Sequence, residues 1–153
     1  SKVWETELNL VVMGSGPDLP KLQRLAEQLP AGRHIFFVEH ISNPFPIIKN
    51  AQFVTLTSRF EGFPMVLVET LSLGIPVVSL DIVSGPSEII NHGENGLLIP
   101  KREVSLFAEA IEKMALDKVF RQHCRNNAKA SVSQYSKQEI SKKWNQLIAH
   151  AVR

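Results

Sequence analysis

The chain predicts a doubly wound α/β domain, a parallel sheet with helices on both faces, and three observations predict it. Short runs dense in Val, Ile, Leu and Phe recur between residues 8 and 99. Segments with helical patterning separate them, and Gly or Pro stands at most junctions, the chain holding eight glycines and nine prolines. Strands that are apolar throughout, rather than alternating, are buried on both sides, which is how parallel strands under crossover helices read. Right-handed crossovers then give a Rossmann-like topology in which ligands collect at the carboxyl ends of the strands.

Each element follows in order. Leu8–Met13 is a strongly apolar strand, and Gly14-Ser15-Gly16-Pro17 turns it into an amphipathic helix over Leu19–Leu29 that Pro30-Ala31-Gly32 ends. His34–Val38 is a second strand, and Asn43–Lys49 a short helical crossover. Gln52–Thr57 is the third strand, followed by a helix over Pro64–Leu73 with Gly74 as its stop. Val77–Leu80 is a fourth strand, Pro86–Asn91 a short helix and Gly96–Ile99 a fifth strand. From Glu103 onward the pattern is helical, with breaks near Asp117 and around Ser131–Ser136. There are no internal repeats and no low-complexity tracts.

Composition narrows the class. With 153 residues, 44% of them hydrophobic, the chain can bury one core. No apolar run approaches the roughly 18 residues needed to cross a bilayer, and the start lacks a signal peptide's layout. Cys124 is the only cysteine, which removes internal disulfides and cysteine-rich metal clusters and implies a reducing compartment. Histidines 34, 92, 123 and 150 show no metal-ligand spacing. The net charge of +2 hides an asymmetry: residues 1–100 carry six Lys/Arg against ten Asp/Glu, residues 101–153 eleven against five. A basic helical region suits an anionic lipid surface as well as plain solvent. Nucleic acid is not expected, because aromatics are only 7% and no recognition motif is present.

The densest chemistry lies in residues 58–69, where Glu61 and Glu69 stand eight positions apart across a strand-to-helix turn. Pro64 suits the first helical position, since its fixed φ fits a helix and that N–H would be unpaired anyway. The amides of Met65 and Val66 are then expected to point outward with the positive end of the helix dipole, ready for an anion. Glu61 lies on the loop above, and Glu69 about 7 Å along the helix. A loop carboxylate, an anion-ready helix start and a recessed carboxylate suit a ligand with sugar hydroxyls on both sides of a phosphate, a nucleotide sugar. A carboxylate suits a vicinal diol because each oxygen can accept one O–H.

This segment resembles the E-x7-E signature of retaining glycosyltransferases of family 4, which have the GT-B fold. The resemblance continues in Gly74-Ile75-Pro76-Val77-Val78, in Ser84-Gly85-Pro86-Ser87-Glu88-Ile89-Ile90 and in His92-Gly93-Glu94-Asn95-Gly96-Leu97-Leu98-Ile99-Pro100, and covers about residues 8–135. It implies that Glu61 is the catalytic-centre glutamate touching the transferred sugar and that Glu69 accepts hydrogen bonds from the ribose hydroxyls. It implies that Gly62 and Phe63 present backbone to the sugar, glycine permitting close approach or positive φ. Met65 and Val66, after Pro64, would offer amides to the distal phosphate. Glu39 and His40, with Ile41, fall where the family reads the nucleobase through the main chain. Gly14 and Gly16 resemble the family's glycine turn, which could let backbone approach phosphate, although the full G-x-G-x-x-G spacing is missing. Ser84 and Gly85 resemble the loop that closes over the sugar.

Two departures stand beside the resemblance. Family members carry an upstream Gly-Arg and Lys that neutralise the departing diphosphate, and here Lys2-Val3-Trp4 already occupies the end of the intervening helix. Pro64 replaces a common glycine. The resemblance therefore implies a single donor-binding domain over 1–153, the carboxy-terminal half of a GT-B enzyme truncated at its amino-terminal edge, with 103–153 as its helical part. A separate amino-terminal domain would bind the acceptor. It further implies transfer of a hexose from a nucleoside-diphosphate sugar, UDP-linked, into a bacterial lipopolysaccharide or capsule. The site would be cytoplasmic, at the inner face of the membrane. No metal and no cofactor are expected, since D-x-D is absent. Another GT-B enzyme such as a sugar-nucleotide epimerase, and a non-catalytic module of the same fold, remain alternatives.

Overall fold

The structure, a computed structural model, describes residues 8–39, 41–100 and 102–151. His40 and the Lys2-Val3-Trp4 segment lie outside the described residues. The chain divides into two compact units, Ser1–Pro46 and Ile47–Arg153.

In the first unit β1 (Leu10–Met13) pairs in parallel with β2 (Ile35–Val38), Leu10 opposite Ile35 and Met13 opposite Val38. Between them runs α1 (Leu19–Gln28), with Pro20 in its first turn, where the missing N–H costs nothing. Its last turn closes through the Leu29 N–H onto the Ala26 carbonyl, and Pro30 prevents a further turn. A single 3-10 turn, Gly32–His34, leads into β2. Gly14 follows β1 with φ +141°, a conformation that favours glycine, and its N–H donates to the Val38 carbonyl at 2.9 Å. That bond ties the carboxyl ends of β1 and β2 together.

The helix α2 (Phe45–Asn50) leads into the second unit, whose sheet is β3 (Val54–Leu56), β4 (Val77–Leu80) and β5 (Gly96–Ile99), in that order and all parallel. Val54 and Gly96 both lie opposite Val77. Among the described residues the strands form two parallel ladders, a two-stranded one in the first unit and a three-stranded one in the second.

Every residue of β4 is buried, and alternate residues serve opposite faces. Val77 joins Leu67, Val68 and Leu71 of α3 (Met65–Ser72), Ile89 of α4 (Pro86–Ile89) and Ala128 of α6 (Lys118–Ser131). Val78 and Leu80 join Leu97, Ile99, Ala110 and Met114 of α5 (Val104–Leu116), and Cys124 of α6. Helices cover both faces, as the continuous apolar runs require. Each fully buried Val or Leu contributes about 1.5–3 kcal/mol of hydrophobic stabilisation before entropy is counted. Gly96 is required at the edge of this packing, because a Cβ there would overlap the Val77 carbonyl and press on its Cγ2 at 2.8 Å.

Helix ends match their sequence signals. α3 ends in a Schellman motif: Gly74 has φ +77°, its N–H meets the Leu71 carbonyl at 2.9 Å and the Ile75 N–H meets that of Thr70 at 3.2 Å. The break at Asp117 is a true N-cap, its Oδ1 accepting from the Phe120 N–H at 2.8 Å. A second 3-10 turn, Ser133–Tyr135, separates α6 from α7 (Lys137–Ala151). Asn95 knots the loop before β5. It is fully buried, its amide donating to Ile89 O (3.0 Å) and Ser131 Oγ (2.8 Å) while its oxygen accepts from Asn91 N–H (2.9 Å).

Candidate functional site

In the second unit two loops leave the carboxyl ends of adjacent strands. The β3 loop runs through Ser58–Pro64 into α3, and the β4 loop through Asp81–Gly85 into α4. The Ser84 hydroxyl donates to the Glu61 carbonyl at 2.8 Å, joining them directly. Gly85, at φ +98°, lies against the Pro64 ring, with Cγ 3.1 Å from where a Cβ would stand. Arg102 donates from its guanidinium to the Thr57 carbonyl at 2.6 Å, fixing the point where the β3 loop begins. Phe63 packs on Tyr135, with ring centroids 5.3 Å apart and planes tilted by 59°.

Pro64 is buried, and it is the N-cap of α3 rather than its first helical residue. Its φ of −76° and ψ of 82°, with Met65 N–H donating to Phe63 O at 2.9 Å, make it the centre of an inverse γ-turn. This corrects the sequence expectation in two ways. The helix starts one residue later, at Met65, and the Met65 amide is occupied by Phe63 instead of facing outward. The next free donor is the Val66 N–H, which has no backbone partner among the described residues. Leu67 N–H closes onto Pro64 O at 2.9 Å. The anion-ready feature at this end of α3 is therefore one amide, reinforced by the dipole of the two turns behind it.

Glu61 and Glu69 are both half-buried, and neither carboxylate accepts a hydrogen bond among the described residues. The Glu61 carbonyl accepts from Ser84, and that of Glu69 from Ser72 and the Leu73 N–H. Glu69 lies three residues beyond Val66 and so on the same side of α3. Half-buried and without donors, these carboxylates keep their lone pairs available to the O–H or N–H groups of a ligand. Gly62 is exposed, and its φ lies outside the left-handed region, so of close approach and positive φ only the first applies. A Cβ at Gly62 would meet nothing within 4 Å, so open space for close approach is what it supplies.

The remaining sequence candidates belong to the first unit. Gly14, Gly16 and Glu39 are exposed at the carboxyl ends of β1 and β2. Gly14 is explained by its φ, whereas Gly16 has neither a left-handed φ nor a neighbour within 4 Å of a Cβ. His40, proposed for the base, lies outside the described residues. Sequence reasoning missed Tyr135 and Arg102, which hold the β3 loop from outside, and Asn95, which holds the loop before β5. Asn95 could have been found, being a polar residue inside the apolar-flanked Gly93–Gly96 turn.

The fold is shared with solved glycosyltransferases of the GT-B type. The lipopolysaccharide outer core galactosyltransferase WaaB superposes with a TM-score of 0.83 at 26% identity, over 94% of this chain and 41% of its own. TarM of Staphylococcus aureus, solved with UDP bound, gives 0.85 at 24% identity over 95% of this chain and 30% of its own, a likeness of fold. The family description "Glycosyl transferases group 1" matches residues 2–131, and the chain belongs to that family. Among curated relatives, an exopolysaccharide phosphotransferase of Streptomyces coelicolor is 32% identical over 147 residues, 94% of this chain and 15% of the relative. The lipopolysaccharide 1,6-galactosyltransferase of Salmonella typhimurium is 35% identical over 121 residues, 76% of this chain and 34% of its own length. The chain thus spans well under half the length of the relatives it matches.

Proposed function

We propose that this chain is the donor-binding part of a retaining glycosyltransferase of family 4, which moves a hexose from a nucleoside-diphosphate sugar to an acceptor hydroxyl. One observation carries the reading: two half-buried carboxylates, Glu61 and Glu69, lack donors among the described residues and bracket the free Val66 N–H in sequence. A nucleoside-diphosphate sugar supplies hydroxyls to both carboxylates and an anion to the amide.

In this reading Glu69 accepts both ribose hydroxyls, and Val66 N–H with the α3 dipole holds the distal phosphate. Glu61, with its carbonyl pinned by Ser84, takes the hexose hydroxyls beside the anomeric carbon. Gly62 and Phe63 give main chain to the sugar, and Met65, whose amide is occupied, contributes only its exposed side chain. The reaction gains from positioning the anomeric centre and from stabilising charge on the departing diphosphate, both supplied by groups fixed in advance. For the first unit taken by itself, the proposal assigns Gly14 and Gly16 to a phosphate and Glu39 with His40 to the nucleobase. UDP is the proposed nucleotide, and the acceptor a bacterial surface glycan at the cytoplasmic membrane face, in keeping with relatives named for lipopolysaccharide synthesis. No step is assigned to a metal, since no D-x-D pair stands in the sequence. A further acceptor-binding region belongs to the same proposal. No helix among the described residues is long and apolar enough to cross a membrane.

The test is a calorimetric or NMR titration of the chain with UDP, GDP and ADP, alongside Glu69→Ala. Selective binding of UDP, weakened about tenfold or more in the variant, is expected. A wild-type chain that binds none of the three, or a variant that binds as well as wild type, overturns the reading.

A further inference from the structure

We infer that Tyr135 is a positioning residue for the diphosphate end of this site, an inference that rests on the donor-binding reading above. Tyr135 ends the 3-10 turn between α6 and α7 and touches three things at once. Its ring packs against the core of Leu67, Leu71 and Ile89, and against Phe63 at 5.3 Å. Its hydroxyl donates to the Glu88 carbonyl of α4 at 2.9 Å. Phe63 has one face toward solvent, being 37% exposed, so Tyr135 is the ring that defines where it rests.

What Phe63 does with its main chain gives this packing a chemical consequence. Its carbonyl captures the Met65 N–H at 2.9 Å and closes the γ-turn over Pro64. That capture leaves Val66 as the free amide and fixes its direction. Without the Tyr135 ring, Phe63 can rotate about its backbone, the capture loosens, and the Val66 N–H loses its aim. Arg102 on Thr57 and Ser84 on Glu61 act on an earlier part of the loop, while Gly85 acts on Pro64 beside the Tyr135 contact. The carboxylate half of the loop is thus set by Ser84 and Arg102, and the amide half by Gly85 against Pro64 and Tyr135 against Phe63. Tyr135 touches no ligand in this arrangement; it acts through Phe63.

The division of labour gives a readout that mere stabilisation would not move. The affinities of the chain for uridine monophosphate and uridine diphosphate are measured for wild type, Tyr135→Leu and Tyr135→Phe, each with its thermal midpoint. Tyr135→Leu is expected to weaken the diphosphate about two- to tenfold, the worth of an aromatic pair, while the monophosphate changes little. Tyr135→Phe keeps the ring and restores diphosphate binding despite losing the Glu88 bond. If Tyr135→Leu does not fold, Tyr135→Met removes the ring while keeping more of its bulk and carries the same expectation. Equal weakening of both ligands, or no weakening beside a lowered midpoint, overturns the positioning role alone. Wild-type chain that binds neither nucleotide overturns the donor-binding reading and this inference with it.

Discussion

Gly85 and Pro64, from loops that leave different strands, touch so closely that the glycine has no room for a Cβ. The positive φ of Gly85 and the burial of Pro64 are two sides of one contact. Gly85→Ala therefore meets both strain and overlap, and should cost about 2–4 kcal/mol in urea unfolding. Pro64→Ala in the same chain should return part of that loss. Independent, additive effects of the two substitutions would mean the contact is not tight.

The free carboxylates make an opposite prediction. Neither Glu61 nor Glu69 has a donor among the described residues, so Glu61→Gln and Glu69→Gln should leave unfolding free energy within about 0.5 kcal/mol of wild type. Ligand binding should fall in both. A large loss of stability in either variant would show that the carboxylate serves the fold.

Thr70 is fully buried on α3, with its Oγ1 lacking a hydrogen-bond partner among the described residues. Thr70→Val keeps the shape and removes the unsatisfied hydroxyl. The expected gain is about 1–2 kcal/mol, visible as a raised midpoint in denaturant. A destabilised variant would reveal a partner for the hydroxyl.

Asn95 stands at the other extreme, with all its bonds satisfied in the interior. Asn95→Ala opens a cavity and strands the Asn91 N–H and the Ile89 carbonyl, at a cost of about 2–4 kcal/mol. Hydrogen exchange at Asn91 should accelerate most. Slow exchange there in the variant would count against the knot.

Burial pushes the Cys124 thiol up to about 11, with Glu94 adding to the shift and Lys113 opposing it. The native state therefore holds this proton more tightly than the unfolded chain, whose reference is 9.0. Its contribution to stability is complete below the unfolded value and lost as pH rises through about 11. Between about pH 9 and about pH 11, wild type should lose more stability than Cys124→Ala. In the folded state near neutrality the thiol should be almost inert to alkylation, and reactive once urea unfolds the chain.

What was legible in the sequence was whatever local chemistry decides. β4 and β5 fall on the residues read from their apolar runs, and Gly74 and Asp117 sit at the helix ends they signal. The Pro64 turn was misplaced by one residue because proline fits both the first helical position and the centre of a γ-turn. Which one forms depends on Gly85, Phe63 and Tyr135, as far as 71 residues away along the chain. Gly62 was read as serving close approach or positive φ, and only coordinates separate these. The supports of the site, Tyr135 and Arg102, are invisible to spacing because each acts across more than forty residues, on Glu88 and on Thr57.

The alternation in β4 has a consequence for how the second unit comes together. Val77 and Val78 are neighbours in the chain yet belong to cores on opposite sides of the sheet. Ordering the backbone of β4 costs roughly 1–2 kcal/mol per residue, and that cost is met once although both cores use it. Whichever face condenses first hands the other a finished wall. The strand links the two sides kinetically: α3 and α5 need never touch for the docking of one to hasten the docking of the other.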